Sequence, residues 1–192
     1  ALDANTTAAY NTAVGYASLG ANTTGQQNVA VGGDALDANT TGGDNTAIGT
    51  SALGQNTTAS NNTAVGYASL TANTTGTANV AVGSAALAAC TTGTQNVAIG
   101  KDALSTSVAG GFQTAVGYQA LKTSNYTANV YAYNTAVGYS AGSAITTGTQ
   151  NICIGSSAGD ALTTGDENII IGYTAAASAV GATNQIVMGR GA

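Results

Sequence analysis

The stretch NTAVGYASL at Asn11–Leu19 returns letter for letter at Asn62–Leu70, after an interval of 51 residues. Three spans of 17 account for that interval, because Asn28-Val29-Ala30-Val31-Gly32 and Asn45-Thr46-Ala47-Ile48-Gly49 fall on the two marks between. Repetition at a fixed short period is the signature of an architecture in which each unit stacks on its neighbours.

Numbered from its Asn, the unit carries Asn, Thr/Val/Ile, Ala, Val/Ile and Gly at places 1–5, Ala-Leu at places 8 and 9, and Thr-Thr-Gly at places 13–15. Units start at Asn11, Asn28, Asn45, Asn62, Asn79, Asn96, Gln113, Asn134, Asn151, Asn168 and Gln185, with every step 17 except one of 21. Three segments follow: regular repeats over 1–121, an irregular insertion over 122–133, and C-terminal repeats over 134–192. In the last segment the leucine of place 9 gives way to Gly142 and Gly159, while Ile145 and Leu162 replace the asparagine of place 12. The apolar anchor has moved along the unit. Both ends of the chain cut through a unit, so a segment of a longer fibre is expected.

Places 2 and 4 alternate with a small residue, and that period of two is a strand signature. The glycine at place 5 is Gly15, Gly32, Gly49, Gly66, Gly83, Gly100, Gly117, Gly138, Gly155, Gly172 and Gly189. It is expected at a corner that needs a positive φ or a close backbone approach. Asn at place 1 suits a turn. Helix is disfavoured by the recurrent Gly, Thr and Asn, and with no proline no rung loses a donor. One unit cannot bury its own apolar face. The expected fold is therefore all-β: a parallel β-solenoid, or β-roll, of about eleven 17-residue coils about 4.8 Å apart, roughly 50 Å long. Leu19, Leu36, Leu53, Leu70, Leu87, Leu104 and Leu121 are expected to form an internal ladder against the Val/Ile pairs. The alanine row at place 3 is expected to face partner chains, with an internal alanine ladder as the alternative.

Composition agrees with a thin, repetitive core. Leu, Ile, Val and Phe make up 32 of 192 residues, below the level of about 20% that marks a poor core-former. Disorder would couple that poverty to high charge, but only 6% of the chain is charged and the net charge is −5. Lys101, Lys122 and Arg190 are too few for a phosphate-binding stripe, so nucleic acid is not an expected partner. No apolar run is long enough to span a bilayer, and no membrane insertion is expected.

The residues carry little chemistry. Without histidine there is no Ser-His-Asp or Cys-His apparatus, and two cysteines four coils apart form neither a disulfide nor a zinc site. Cys90 and Cys153 read as separate buried residues. The acidic residues lack the pattern of calcium-binding rolls, and the glycines are not those of a phosphate loop. No catalytic residue, metal or cofactor is expected, and the chain is not expected to be an enzyme. Seven Asn-x-Ser/Thr sequons, at Asn5, Asn22, Asn39, Asn56, Asn61, Asn73 and Asn125, are mostly by-products of the repeated Asn-Thr-Thr.

The insertion, KTSNYTANVYAY, bears Tyr126, Tyr131 and Tyr133. Flat amphipathic rings on an excursion are candidates for surface contact with sugars or a partner. The alternative, which is favoured, is a seam joining two differently built sections, with the rings sealing it. Tyr16, Tyr67, Tyr118, Tyr139 and Tyr173 share place 6 and are expected to shield coil edges.

Stretches such as NVAVGGDAL, NVAIGKDAL and QTAVGYQALKTS resemble the head repeats of trimeric autotransporter adhesins. They are more similar still to the TTG-linked repeats of bacteriophage and marine-virus tail fibres, and the likeness covers essentially the whole chain. The resemblance implies a parallel β-roll assembled as a homotrimer, located in a virion tail or at an extracellular or cell surface, that attaches to a host receptor or glycan. The unit here is longer than the adhesin head unit. The leading expectation is a tail-fibre shaft projecting a receptor-binding tip. A bacterial adhesin head is one alternative, and an ice-binding solenoid using the Thr-Thr rows is another.

Overall fold

A computed structural model of the chain describes residues 1–128 and 130–192, so Asn129 of the insertion lies outside the described residues. Each unit supplies one three-residue strand, from β1 (Thr12–Val14), β2 (Val29–Val31), β3 (Thr46–Ile48) and β4 (Thr63–Val65) through β5 (Val80–Val82), β6 (Val97–Ile99) and β7 (Thr114–Val116). β8 (Thr135–Val137), β9 (Ile152–Ile154), β10 (Ile169–Ile171) and β11 (Ile186–Met188) follow. The strands form one parallel sheet of eleven in chain order. Val31 pairs with Ile48 and Ile48 with Val65, so equivalent residues stand in columns. The insertion does not break the sheet, since Thr114 pairs with Thr135. The chain is a parallel β-solenoid with 17-residue coils.

The rest of each coil is irregular yet fully laddered. Leu36 N–H donates to Ala52 at 3.0 Å, Thr40 to Thr57 at 2.8 Å, and Asp44 N–H reaches back to Gln26 at 3.0 Å. The corner glycine meets both expected demands. Gly32 has φ of +134°, and a Cβ there would lie 2.7 Å from the carbonyl oxygen of Gly49 in the next coil. No other residue fits that corner.

Two expectations about the core are corrected. Successive residues of a strand point to opposite faces, and it is place 3 that points inward: Ala30, Ala47, Ala64, Ala81, Ala98, Ala115 and Ala136 are fully buried within the single chain. The alanine row therefore faces the coil's own interior and no partner. The seven-leucine ladder is fully buried as expected, but it packs with these alanines and those of place 8, such as Ala35 and Ala52. The Val/Ile pairs stand on the outer face. The physical reason is thinness: opposite a leucine column in so narrow a coil, only a methyl group fits.

The leucines enter the core from an unusual backbone. Leu36, Leu53 and Leu70 have φ of +50° to +51°, a left-handed conformation costing about 1–2 kcal/mol in a non-glycine residue. Burying a leucine gains about 1.5–3 kcal/mol, enough to hold it there. Gly142 and Gly159 occupy the same place with φ of +57° and +68° and no such cost. A Cβ on Gly142 would sit 3.1 Å from Cδ1 of Ile145, so Ile145 fills the space that a leucine fills elsewhere.

Candidate functional site

Asparagine builds the polar part of the interior, a role for place 1 beyond the turn its residue type suits. Asn28, Asn45, Asn62, Asn79 and Asn96 are fully buried and stack in a column. Asn45 donates from both its backbone N–H and its Nδ2 to Asn28 Oδ1, at 3.0 and 3.1 Å. A second column runs through place 12: Asn39 Nδ2 donates to Asn22 Oδ1 at 2.9 Å and Asn56 Nδ2 to Asn39 Oδ1 at 2.9 Å. The carbonyl of place 15 ties the columns together, as Ala59 O accepts from both Asn45 Nδ2 at 2.9 Å and Asn56 Nδ2 at 3.0 Å. A buried polar group is tolerated when it is paired, and here the pairing repeats from rung to rung wherever asparagine recurs, up to Asn73 in the second column. Four of the seven sequon asparagines, Asn22, Asn39, Asn56 and Asn73, lie in this interior and are inaccessible to a glycan.

The second column stops at Cys90, Ser107, Ser124, Ile145 and Leu162, and the insertion repairs the loss. In the coil of β8, Ile145 has no donor for the Gly148 carbonyl. Tyr126 from the preceding coil supplies it through its hydroxyl, which also accepts from Asn134 Nδ2 at 2.9 Å. Tyr126 is therefore buried, at 4% exposure, and is not a surface contact. That corrects one of the three candidates. Burial pushes its phenol up to about 12, against the opposing hydrogen bonds from Asn134 and Ser124. Sequence reasoning missed the role because the signal, loss of an acceptor's partner one coil later, appears only when the coils are superposed.

Tyr131 and Tyr133 remain at the surface, 60% and 49% exposed. Tyr131 pairs by its backbone with Gly111, and both rings pack on Phe112, with centroids 4.9 and 5.4 Å away. A cavity of about 300 Å³ opens elsewhere in the insertion, lined by Asn125, Tyr126, Thr127, Ala128, Val130 and Thr147 and by neither of these rings.

Place 6 forms a ring column just past the corner glycine. Tyr118 and Tyr139 stack with centroids 5.2 Å apart and planes 16° apart. Lys101 Nζ, from the rung before, lies over the Tyr118 ring, and Arg190, from the rung after, lies over Tyr173, at 5.5 and 5.6 Å from the ring centroids. Cation–π contact of this kind is worth about 0.5–1 kcal/mol at an exposed site.

The threonine rows differ from a free hydroxyl array. Thr40 Oγ1 donates to Thr57 O at 3.0 Å and Thr74 Oγ1 to Thr91 O at 3.1 Å, so place 13 is engaged in holding coils together. Only place 14 (Thr41, Thr58, Thr75) stands outward. Among the described residues no three His, Cys, Asp or Glu side chains cluster as metal ligands. Cys90 and Cys153 are free and buried, and burial pushes their thiols up to about 11 and about 12.

The outer face of the sheet is a uniform surface. Its 22 positions, places 2 and 4 of eleven coils, hold only Thr, Val, Ile and one Met. Val14, Ile48, Ile99, Val137 and Ile154 are the most open of the Val and Ile side chains within the face's fourth place. Comparison with protein-family models, curated proteins and solved structures finds no match, so the chain stands as a parallel β-solenoid repeat protein on its own geometry.

Proposed function

We infer that the chain is a structural segment of an attachment fibre, a shaft of the viral tail-fibre type that projects a receptor-binding tip toward a host surface. The working form is a homotrimer. One observation carries this reading: an eleven-stranded sheet whose outer face has no charged residue at any of 22 positions. Such a face measures roughly 50 Å by 10 Å from strand spacing and rise. That is about 500 Å² of flat, β-branched surface, at the upper end of what a soluble monomer leaves open. A partner that matches it from end to end must share the 4.8 Å pitch and 17-residue period. Another copy of this chain does so. The chain number of three comes from the resemblance to adhesin heads and tail fibres, and stiffness comes from the continuous backbone ladder and the paired asparagine columns.

Light scattering of the purified segment tests the reading. A mass three times 18.4 kDa supports it, and a Val82→Lys, Ile99→Lys variant is expected to fall to a single chain with its circular dichroism retained. A wild-type mass of 18.4 kDa argues against it.

A further inference from the structure

Between Lys101 and Arg190 the ring column of place 6 contains one gap. From the coil of β6 to that of β11 it reads Lys101, Tyr118, Tyr139, Ser156, Tyr173, Arg190. Each end is closed by a cation lying on a ring, and Tyr118 and Tyr139 stack on adjacent rungs. Only at Ser156 does a small side chain stand between two rings.

The exposures record which ring faces are uncovered. Tyr118, with Lys101 on the rung before it and Tyr139 on the rung after, is 37% exposed, whereas Tyr139 and Tyr173, each with one such neighbour, are 58% and 56% exposed. By rung order Tyr118 precedes Tyr139 and Arg190 follows Tyr173, so the sides of Tyr139 and Tyr173 without a ring or cation on the adjacent rung are those toward Ser156. Their separation is two rungs, roughly 10 Å at about 4.8 Å per rung. The walls are hydroxylic and uncharged: Ser140, Ser156, Ser157 and Thr174 occupy places 6 and 7 of these coils, and none of their hydroxyls has a hydrogen-bond partner among the described residues.

We propose that the slot between Tyr139 and Tyr173 over Ser156 binds a neutral pyranose ring of a saccharide. Two contacts of about 3.5–4.0 Å around a flat aromatic ligand span only about 7–8 Å, short of the slot, whereas a puckered sugar chair is thicker and fills it. The C–H faces of a pyranose lie against the ring faces, and its equatorial hydroxyls meet the free serine and threonine hydroxyls at the edges. Places 6 and 7 of the three coils, Tyr139-Ser140, Ser156-Ser157 and Tyr173-Thr174, carry no ammonium or carboxylate, which selects an uncharged sugar. Rungs on either side are fixed by the backbone ladder, with Ser157 N–H donating to Tyr139 O at 2.8 Å and Thr174 N–H to Ser156 O at 2.9 Å. The two walls are therefore held in place before any ligand arrives, which reduces the ordering that binding must impose. The site lies within one chain, beside the corner rather than on the outer sheet face, so it stands apart from the trimer reading.

The test is saturation-transfer NMR and calorimetric titration of the whole segment with maltohexaose, cellohexaose and chitohexaose. At least one is expected to bind at millimolar concentration, with Tyr139→Ala or Tyr173→Ala weakening it about tenfold or more. Ser156→Tyr is expected to abolish binding with the melting temperature preserved, because Tyr118 and Tyr139 already sit on successive rungs. Tyr16→Ala, an isolated ring of the same column, is expected to bind as wild type. The proposal is overturned if none of the three saccharides binds, if Ser156→Tyr binds normally, if Tyr16→Ala is equally impaired, or if N-acetyltryptophanamide enters the slot in their place. Solution mass reads the assembly separately, so failure of one reading leaves the other measurable.

Discussion

Asn73 Nδ2 donates to Asn56 Oδ1 at 2.8 Å, and its own Oδ1 is the one buried side-chain nitrogen or oxygen without a partner among the described residues. The column of place 12 ends there because the next coil offers Cys90, whose thiol turns to Gly93 O at 3.7 Å. An unsatisfied buried acceptor costs about 1–3 kcal/mol. Cys90→Asn extends the column by one amide and is expected to stabilise the fold by about 1 kcal/mol or more. Chemical denaturation reads the difference, and a lower midpoint for Cys90→Asn would falsify the column as drawn. In the opposite direction, Asn39→Leu strips partners from Asn22 and Asn56 and is expected to cost about 2–4 kcal/mol.

Tyr126 is expected to act as an internal hydrogen-bonding residue. Tyr126→Phe keeps the ring but removes the donor to Gly148 O and the acceptor for Asn134 Nδ2. A loss of about 1–3 kcal/mol is expected, while Tyr131→Phe and Tyr133→Phe, which keep the half-exposed rings on Phe112, are expected to change stability by less than about 0.5 kcal/mol. Equal effects at all three positions would count against the assignment.

The exchange of anchors between places 9 and 12 predicts a compensating pair. Gly142→Leu drives a side chain into Leu121 Cδ2 and Ile145 Cδ1, which lie 3.0 and 3.1 Å from its Cβ position, and is expected to cost several kcal/mol. Ile145→Asn alone leaves a cavity and costs about 2–5 kcal/mol. Together they restore the arrangement of the first coils. The double variant is expected to be more stable than either single one, a non-additivity that thermal melting of the four proteins measures.

Three buried groups make the fold sensitive to alkali. Burial raises Cys90 from 9.0 to about 11, Cys153 from 9.0 to about 12 and Tyr126 from 10.0 to about 12. Each keeps its proton in the fold and loses it more easily when unfolded. Their contribution is thus fully present below pH 9 and is lost as pH rises toward the folded values of 11 to 12. The slope is about 1.4 kcal/mol per pH unit for each group ionised only in the unfolded chain. Cys90→Ala with Cys153→Ala is expected to flatten the decline above pH 9, and a wild-type midpoint that stays level to pH 11 would contradict the burial of the thiols.

Period and composition made the solenoid legible. Identical residues every 17 positions can satisfy their backbone groups only by stacking, and the 21-residue unit marked where the coil is locally enlarged. The corner glycines and the buried leucine column were readable for the same reason, since each needs one feature that its residue type alone provides or requires.

Which face of each three-residue strand turns inward was decided only by the tertiary structure. Alternation specifies two faces without ranking them, and the usual preference for burying valine and isoleucine points the wrong way here. The leucine column, delivered inward from a left-handed backbone, leaves room opposite it for a methyl group alone, so alanine goes in and the branched side chains go out. The same superposition of coils turned asparagines that look like turn residues into paired interior columns, and buried Tyr126 beneath an excursion that reads as surface. Sequence fixes what recurs; packing across 4.8 Å rungs fixes what each recurrence touches.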